Sequence, residues 1–350
     1  MNRKQILTMA VVVAVLAALA HLQFRTWRNF EWSVFWQQTR QARLPELASG
    51  ILLIYSTYVM RALRWKVMLR PTKKVAAREL IGSMVIGFTG LAVLGRPGDL
   101  IRPYLVSRRH GLSFPSQIAV LAVERVLDIG CFALLLTLDL LFAKDLEALP
   151  YFQQFRFAGF ALVLAVIGMV AGVWAVWRQG DAVSRWVHRL LDRVAPRVAE
   201  GVAERIRVFG IGLHTMHDLR SFLEALGLSL AVWITIALAY VQVTHSYGDT
   251  LRTMAFSHVL LLMSASIAGS LLQLPVVGGG SQLGTITVLH AVFNVPHELA
   301  LSCGIMLWLV TFVAVVPVGL VWARIEHVSL VQAETASLEE QEKVIHSHDA

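Results

Sequence analysis

The run Ile118–Phe142, IAVLAVERVLDIGCFALLLTLDLLF, constrains this chain more than any other segment. As a helix it is long enough to cross the roughly 30 Å hydrocarbon core of a bilayer. Yet it carries Glu124, Arg125 and Asp128. At 1.5 Å rise per residue Asp128 falls roughly 15 Å below Ile118, near the midplane. A charge at that depth costs about 3 kcal/mol on insertion scales, so it is retained only where it faces protein or water. Glu124 and Asp128, at i and i+4, share a helix face; Arg125 and Asp128, at i and i+3, are within pairing reach. Two readings follow: a self-satisfied ion cluster that locks helices together, or a polar path for a substrate.

Composition supports a polytopic membrane protein. Of 350 residues, 56% are hydrophobic and 15% charged, against about 25% charged in soluble domains; the mean hydropathy is +0.62. The net charge of +8 reads as basic loops held on the cytoplasmic side and facing anionic lipid, with no nucleic-acid partner implied. Cys131 and Cys303 both lie in apolar stretches and read as packing residues. No zinc-ligand spacing, phosphate-binding P-loop or Gly-x-Ser-x-Gly motif is present, and neither a metal nor a cofactor is expected. His245, His258 and His290 share no ligand spacing and read as helix-contact residues.

Nine apolar segments are expected: 6–24, 47–63, 80–94, 118–142, 157–177, 222–244, 254–274, 283–293 and 299–321. The first follows Arg3 and Lys4; Ala18-Leu19-Ala20 resembles a signal-peptidase site, but the apolar run continues through Phe24, which favours a retained span. Segment 80–94 runs into Gly95-Arg96-Pro97-Gly98-Asp99, and segment 254–274 into Pro275-Val276-Val277-Gly278-Gly279-Gly280. Proline and adjacent glycines end helices. Broken helices at membrane depth are tolerated only where they are buried in protein or line a cavity.

Charge asymmetry places the N-terminus in the cytoplasm, with the loop holding Arg64, Lys66, Arg70, Lys73, Lys74 and Arg78 on the same side. A full crossing by 80–94 would expose Arg96, Arg102, Arg108 and Arg109 outside, so a re-entrant hairpin is expected there. Residues 178–220, rich in arginine, read as a basic cytoplasmic connector, and 326–350 as a polar tail, a short frayed helix or disordered. Each half thus has a span, a Gly/Pro-broken hairpin and a long span, entered from opposite sides. Such paired interruptions mark inverted-repeat transporters and point to their binding site. The expected fold is one all-α transmembrane domain over 1–325, a helix bundle in a plasma membrane of bacterial inner-membrane type.

Several short motifs occur in order: Arg61-Ala-Leu-Arg64-Trp65, then Gly95-Arg96-Pro97-Gly98-Asp99-Leu-Ile-Arg102, Gly111-Leu-Ser113, Glu124-Arg125-Val-Leu-Asp128, and Leu274-Pro275 before Gly278–Gly280. Together they resemble the transmembrane region of lysylphosphatidylglycerol synthases and their stand-alone relatives, over roughly residues 5–325. The resemblance implies a flippase-like module that moves a lipid between leaflets without the synthase domain. It also implies an acidic residue after the glycines of each hairpin. Asp99 supplies a short one in the first; Ser281-Gln282 stands in the second, which weakens the expectation of a cationic head group.

Arginine binds phosphate bidentately and keeps its charge when desolvated. The candidate substrate-binding residues are therefore Arg61, Arg64, Arg96, Asp99, Arg102, Glu124, Arg125 and Asp128, with Gly279, Gly280 and Gln282 from the second hairpin. Bland roles compete: snorkelling for Arg61 and Arg64, positive-inside charge for Arg96 and Arg102, and helix capping for Asp99. The expected partner is a membrane phospholipid or lipid-linked substrate, held in a crevice between the hairpins; homo-oligomerisation stays open. Two rivals remain, an enzyme using Glu124 and Asp128 as acid and base, which lacks a nucleophile or metal set, and a scaffold for lipid or envelope biosynthesis that docks through 178–220.

Overall fold

A computed structural model describes residues 31–143, 146, 149–150, 152–192, 219–248, 251–270 and 279–346. The expected first span, most of the basic connector and Pro275–Gly278 lie outside the described residues. Among the described residues every regular element is helical. In chain order they are α1 (Trp32–Gln41), α2 (Leu44–Leu69), α3 (Ala77–Leu94), a 3₁₀ turn (Arg96–Leu100), α4 (Ile101–His110), α5 (Phe114–Phe142), α6 (Phe152–Asp192), α7 (Leu219–Ser246), α8 (Phe256–Ser270), α9 (Gly279–Ala291), α10 (His297–Trp308), a π turn (Leu309–Val313), α11 (Val315–Ile325) and α12 (Leu330–His346).

The protein is a multi-pass helical membrane protein. Among the described residues four stretches are long and apolar enough to cross a bilayer: Ala77–Leu94, Phe152–Gly172, Arg220–Ser246 and His297–Ile325. α2 and α5, of 26 and 29 residues, are as long but carry the buried charges described below. In α6 the backbone leaves helical geometry at Gln179, two residues past the expected end of its span at Trp177.

α2 and α7 form an antiparallel pair. Near one end the Arg43 amide donates to the Ser246 carbonyl at 2.9 Å; near the other the Arg70 guanidinium donates to Glu224 at 2.7 Å. Each of these spans is followed by a helical hairpin, α3/α4 after α2 and α8/α9 after α7, and then by a further long helical segment, α5 or α10–α11. Because the two leading spans run in opposite directions, this order is that of an inverted repeat.

Both hairpins close through glycine. A Cβ on Gly98 would lie 2.3 Å from the Gly90 carbonyl carbon and oxygen. In the second hairpin a Cβ on Gly269 would lie 2.1 Å from the Gly280 oxygen, and one on Gly284 2.3 Å from the Ala265 oxygen. Gly95 (φ 76°) precedes the first return arm and Gly279 (φ 61°) opens the second, both in the left-handed region that glycine enters without strain. Since backbone cannot yield as a side-chain tip does, Gly98→Ala is expected to force the arms of α3/α4 apart at a cost of about 1–3 kcal/mol. Gly168→Ala, on a face of α6 with nothing within 4 Å, is expected to leave stability unchanged or raise it by up to about 1 kcal/mol. Thermal melting in detergent compares the two.

The first hairpin starts and ends on one side of the bundle, since Lys73 before α3 donates to the carbonyl of His110 at the end of α4 (2.6 Å). Its turn is tied to α5 by the Arg125–Asp99 pair, roughly 17 Å along α5 from Phe114.

Two elements differ from expectation. α1 was not anticipated; its Thr39 hydroxyl meets Ser302 of α10 at 2.7 Å. The tail, expected as a short frayed helix or disordered, forms the 17-residue α12 and packs: its Ala333 and Ser337, one turn apart, are buried. Ala333 joins Ile86, Ile101, Leu105 and Ala323 in a small apolar cluster on the first hairpin. Small residues on a polar helix carry little hydrophobic periodicity, which is why composition read this segment as solvated.

Candidate functional site

Four helices bring a network of charges into the interior. Glu124, fully buried on α5, is its centre. One carboxylate oxygen accepts from Arg64 of α2 at 2.8 Å and from Arg102 of α4 at 2.7 Å; the other accepts from the Trp65 indole N–H. One turn further along α5, Asp128 accepts from Arg64 at 2.5 and 3.3 Å in a fork-to-fork pair, the geometry that suits guanidinium to carboxylate. Arg64 also donates to the Ser229 hydroxyl of α7 at 2.7 Å. Local packing makes this convergence feasible. Gly87 of α3 has no side chain, and a Cβ there would lie 2.6 Å from the Arg102 Cβ, so the α4 backbone comes close enough for Arg102 to reach Glu124.

Arg61 is bound more loosely. Its guanidinium lies 3.6 Å from Glu124 and 3.7 Å from Asp128, ion-pair distances outside hydrogen-bond range. It sits 4.7 Å from the centroid of Phe88, whose ring also meets Arg102 at 4.8 Å. Arg61 is 7% exposed, and its Nε finds no partner among the described residues.

At the rim, Arg125 pairs with Asp99 at 2.7 Å, and Asp99 also accepts from Arg102 at 3.1 Å. These are the accessible members: the Arg125 side chain is 40% exposed and that of Asp99 25%. Four guanidinium groups thus face three carboxylates, Asp99, Glu124 and Asp128, leaving one positive charge in excess.

Seven of the candidate residues, Arg61, Arg64, Asp99, Arg102, Glu124, Arg125 and Asp128, therefore meet in one network. Arg96 does not; it is exposed at the hairpin turn and makes no ion pair among the described residues. Asp99 is no helix cap; its carboxylate is spent on two arginines. The expected Arg125–Asp128 pair is replaced by Arg125–Asp99 and Arg64–Asp128, because a bidentate tertiary partner outcompetes a neighbour one turn away. Gly279, Gly280 and Gln282 sit in the second hairpin, and among the described residues no hydrogen bond or ion pair joins them to the network. Sequence reasoning missed Phe88 and Ser229, which nothing in their surroundings marks; the Trp65 N–H was signalled only by its place beside Arg64. The histidines make helix contacts, with His245 on the Met254 carbonyl at 3.0 Å and His290 on that of Val295 at 2.9 Å.

Residues 5–319 match the family model for the lysylphosphatidylglycerol synthase TM region. The chain belongs to this family. It is also similar to an archaeal UPF0104 membrane protein of Methanothermobacter thermautotrophicus, 21% identical over 285 residues, 79% of this chain and 82% of that one. A shorter match, 36% identity over 88 residues, links it to glycosyltransferase AglD of Haloferax volcanii; it covers 24% of this chain and only 14% of AglD. Membership accounts for the order of the motifs, and the network joins three of them through space, the Arg61–Trp65 run, the first hairpin and the Glu124–Asp128 run, and adds Ser229 from the span that follows the connector.

Proposed function

We propose that this protein moves a phosphate-bearing lipid between membrane leaflets, its acyl chains remaining in the bilayer and no bond being made or broken. The observation that carries the reading is the partly exposed Arg125–Asp99 pair at the turn of the first hairpin, backed by a network with one surplus positive charge. A phosphate arriving there exchanges water for arginine, with Arg125 and Arg61 the least committed donors. Glu124, by contrast, already accepts from two arginines and an indole, which suits an anchor for those donors better than a general acid.

The family and the short similarity to a glycosyltransferase support a place in lipid or glycoconjugate biosynthesis. The basic residues Arg70, Lys73 and Arg109 lie at one end of the bundle, the end to which Lys73 ties His110. By the positive-inside rule that end is cytoplasmic, in a plasma membrane and with the N-terminus on the same side. A scaffold is the second reading, favoured by how completely Glu124 is satisfied within the fold.

The test is a lipid-movement assay in proteoliposomes with tail-labelled fluorescent phospholipids of anionic, zwitterionic and cationic head group. Translocation predicts head-group-selective movement above that of protein-free vesicles. Folded protein that moves none of them would leave the scaffold reading in its place.

A further inference from the structure

The charged network and the second hairpin bring opposite chemistries to the same span, α7. On α7, Ser229, Trp233 and Tyr240 fall at i, i+4 and i+11 and so share one helix face. Ser229 touches the charged network through Arg64. Trp233 stacks on Phe132 of α5 with ring centroids 4.9 Å apart, and its indole N–H is buried without a partner among the described residues. Tyr240 lies about 16 Å from Ser229 along the helix. There its hydroxyl meets Ser266 of α8 at 3.2 Å, and Ser266 meets Ser281 of α9 at 2.6 Å. The next residue, Gln282, is 6% exposed, and its side-chain amide nitrogen has no partner among the described residues.

Neither α8 nor α9 contains Asp, Glu, Lys or Arg. The second hairpin therefore presents hydroxyls and an amide, with a buried donor unpartnered among the described residues, where the first contributes Asp99 and Arg102 to a network of four arginines and three acids. An ammonium group brought beside it would be desolvated with no counter-charge, which is costly. A neutral polyol is the better match, since its hydroxyls both donate and accept and would satisfy the Gln282 amide. Leaving a buried donor unpaired is what lets such a site reject an analogue lacking the hydroxyl.

Building on the translocase reading, we infer that the second hairpin is the recognition site for an uncharged, hydroxyl-rich head group, so that the transported lipid is a phosphate-linked polyol or sugar and not an aminoacylated, cationic one. The separation of about 16 Å exceeds the span of a phosphate-linked glycerol or hexose. The arginine network and the hydroxyl set are therefore successive stations, and the Trp233–Phe132 pair lies between them along α7.

The experiment compares four tail-labelled lipids in proteoliposomes: phosphatidylglycerol, phosphatidylinositol, lysyl-phosphatidylglycerol and a polyprenyl-phosphate hexose. Wild-type protein is expected to move at least one neutral-head lipid tenfold or more faster than lysyl-phosphatidylglycerol. The diacyl and polyprenyl arms tell which source supplies the polyol. Gln282→Glu is expected to shift preference towards the lysyl lipid, and Gln282→Leu to reduce the neutral-head preference over the lysyl lipid at least fivefold. A monodisperse elution profile in detergent confirms the fold of each variant, and the Leu variant decides the matter should the buried Glu impair folding. Wild-type preference for the lysyl lipid, or an unchanged preference in folded Gln282→Leu, would overturn this inference while leaving translocation standing. Movement of none of the four would remove both.

Discussion

Glu124→Ala is expected to be the most destabilising single change in the charged network, costing about 3–5 kcal/mol and sharply reducing folded protein in the membrane. Glu124 is fully buried and receives Arg64, Arg102 and the Trp65 indole, with Arg61 at 3.6 Å. Its removal leaves four guanidinium groups facing Asp99 and Asp128 alone, and nothing nearby can replace the lost acceptor. The cost is that of stranding buried charge. It does not measure what the ion pairs contribute over an apolar core, which for buried networks is often nothing. Two comparisons follow. Asp128→Ala should cost less, because Arg64 keeps Glu124 and Ser229. The combined change of Arg64 to Met and Asp128 to Leu, which removes a cation with its bidentate partner, should be milder than either removal alone. Melting temperatures of purified protein in detergent give the order; a melt of Glu124→Ala equal to wild type would show that the acid is solvated and the network is not closed.

How much of this arrangement was legible depended on whether a residue was out of place in its own neighbourhood. Glu124, Arg125 and Asp128 stand out because their flanks are apolar over a bilayer's width, and Gly95–Asp99 stands out because it breaks an apolar helix. Both signals are local, and both led to the site. The pairing pattern was not local. One-dimensional spacing favours Arg125 with Asp128, but the fold delivers Arg64 to Asp128 as a fork and leaves Arg125 to Asp99. Phe88 and Ser229 are unremarkable in sequence because an aromatic and a hydroxyl are ordinary in membrane helices; only the approach of α3 and α7 gives them roles. The close approach of Gly87 to Arg102 belongs to the same class, since a missing side chain cannot announce what comes near it. At α12 a short frayed helix was one of two expectations, and low hydrophobicity concealed only that it packs, through Ala333 and Ser337.

Arg125→Ala should separate the two roles of the network. Unlike Glu124, Arg125 is 40% exposed at its side chain and has one partner, Asp99, which keeps Arg102 at 3.1 Å when Arg125 is gone. No acid is stranded, so the expected cost in stability is about 1 kcal/mol or less, that of a solvent-accessible pair. If the rim receives a phosphate, however, the same change removes the most accessible cation on the path, and movement of phosphate-bearing lipid should fall by tenfold or more while the melting temperature stays near wild type. Arg125→Lys keeps the charge but loses the planar fork, and is expected to fall between the two. Exchanging the partners, Asp99→Arg with Arg125→Asp, restores the pair but moves the cation from α5 onto the hairpin tip. Because Asp99 also accepts from Arg102, the exchange sets a like charge beside Arg102 as well, so it is read only where the melting temperature stays near wild type: there a structural pair keeps transport and a phosphate station loses it. Transport measured beside melting temperature for these three variants decides between them: loss of both together in Arg125→Ala would make the rim a structural clasp, and loss of transport alone makes it part of the lipid path.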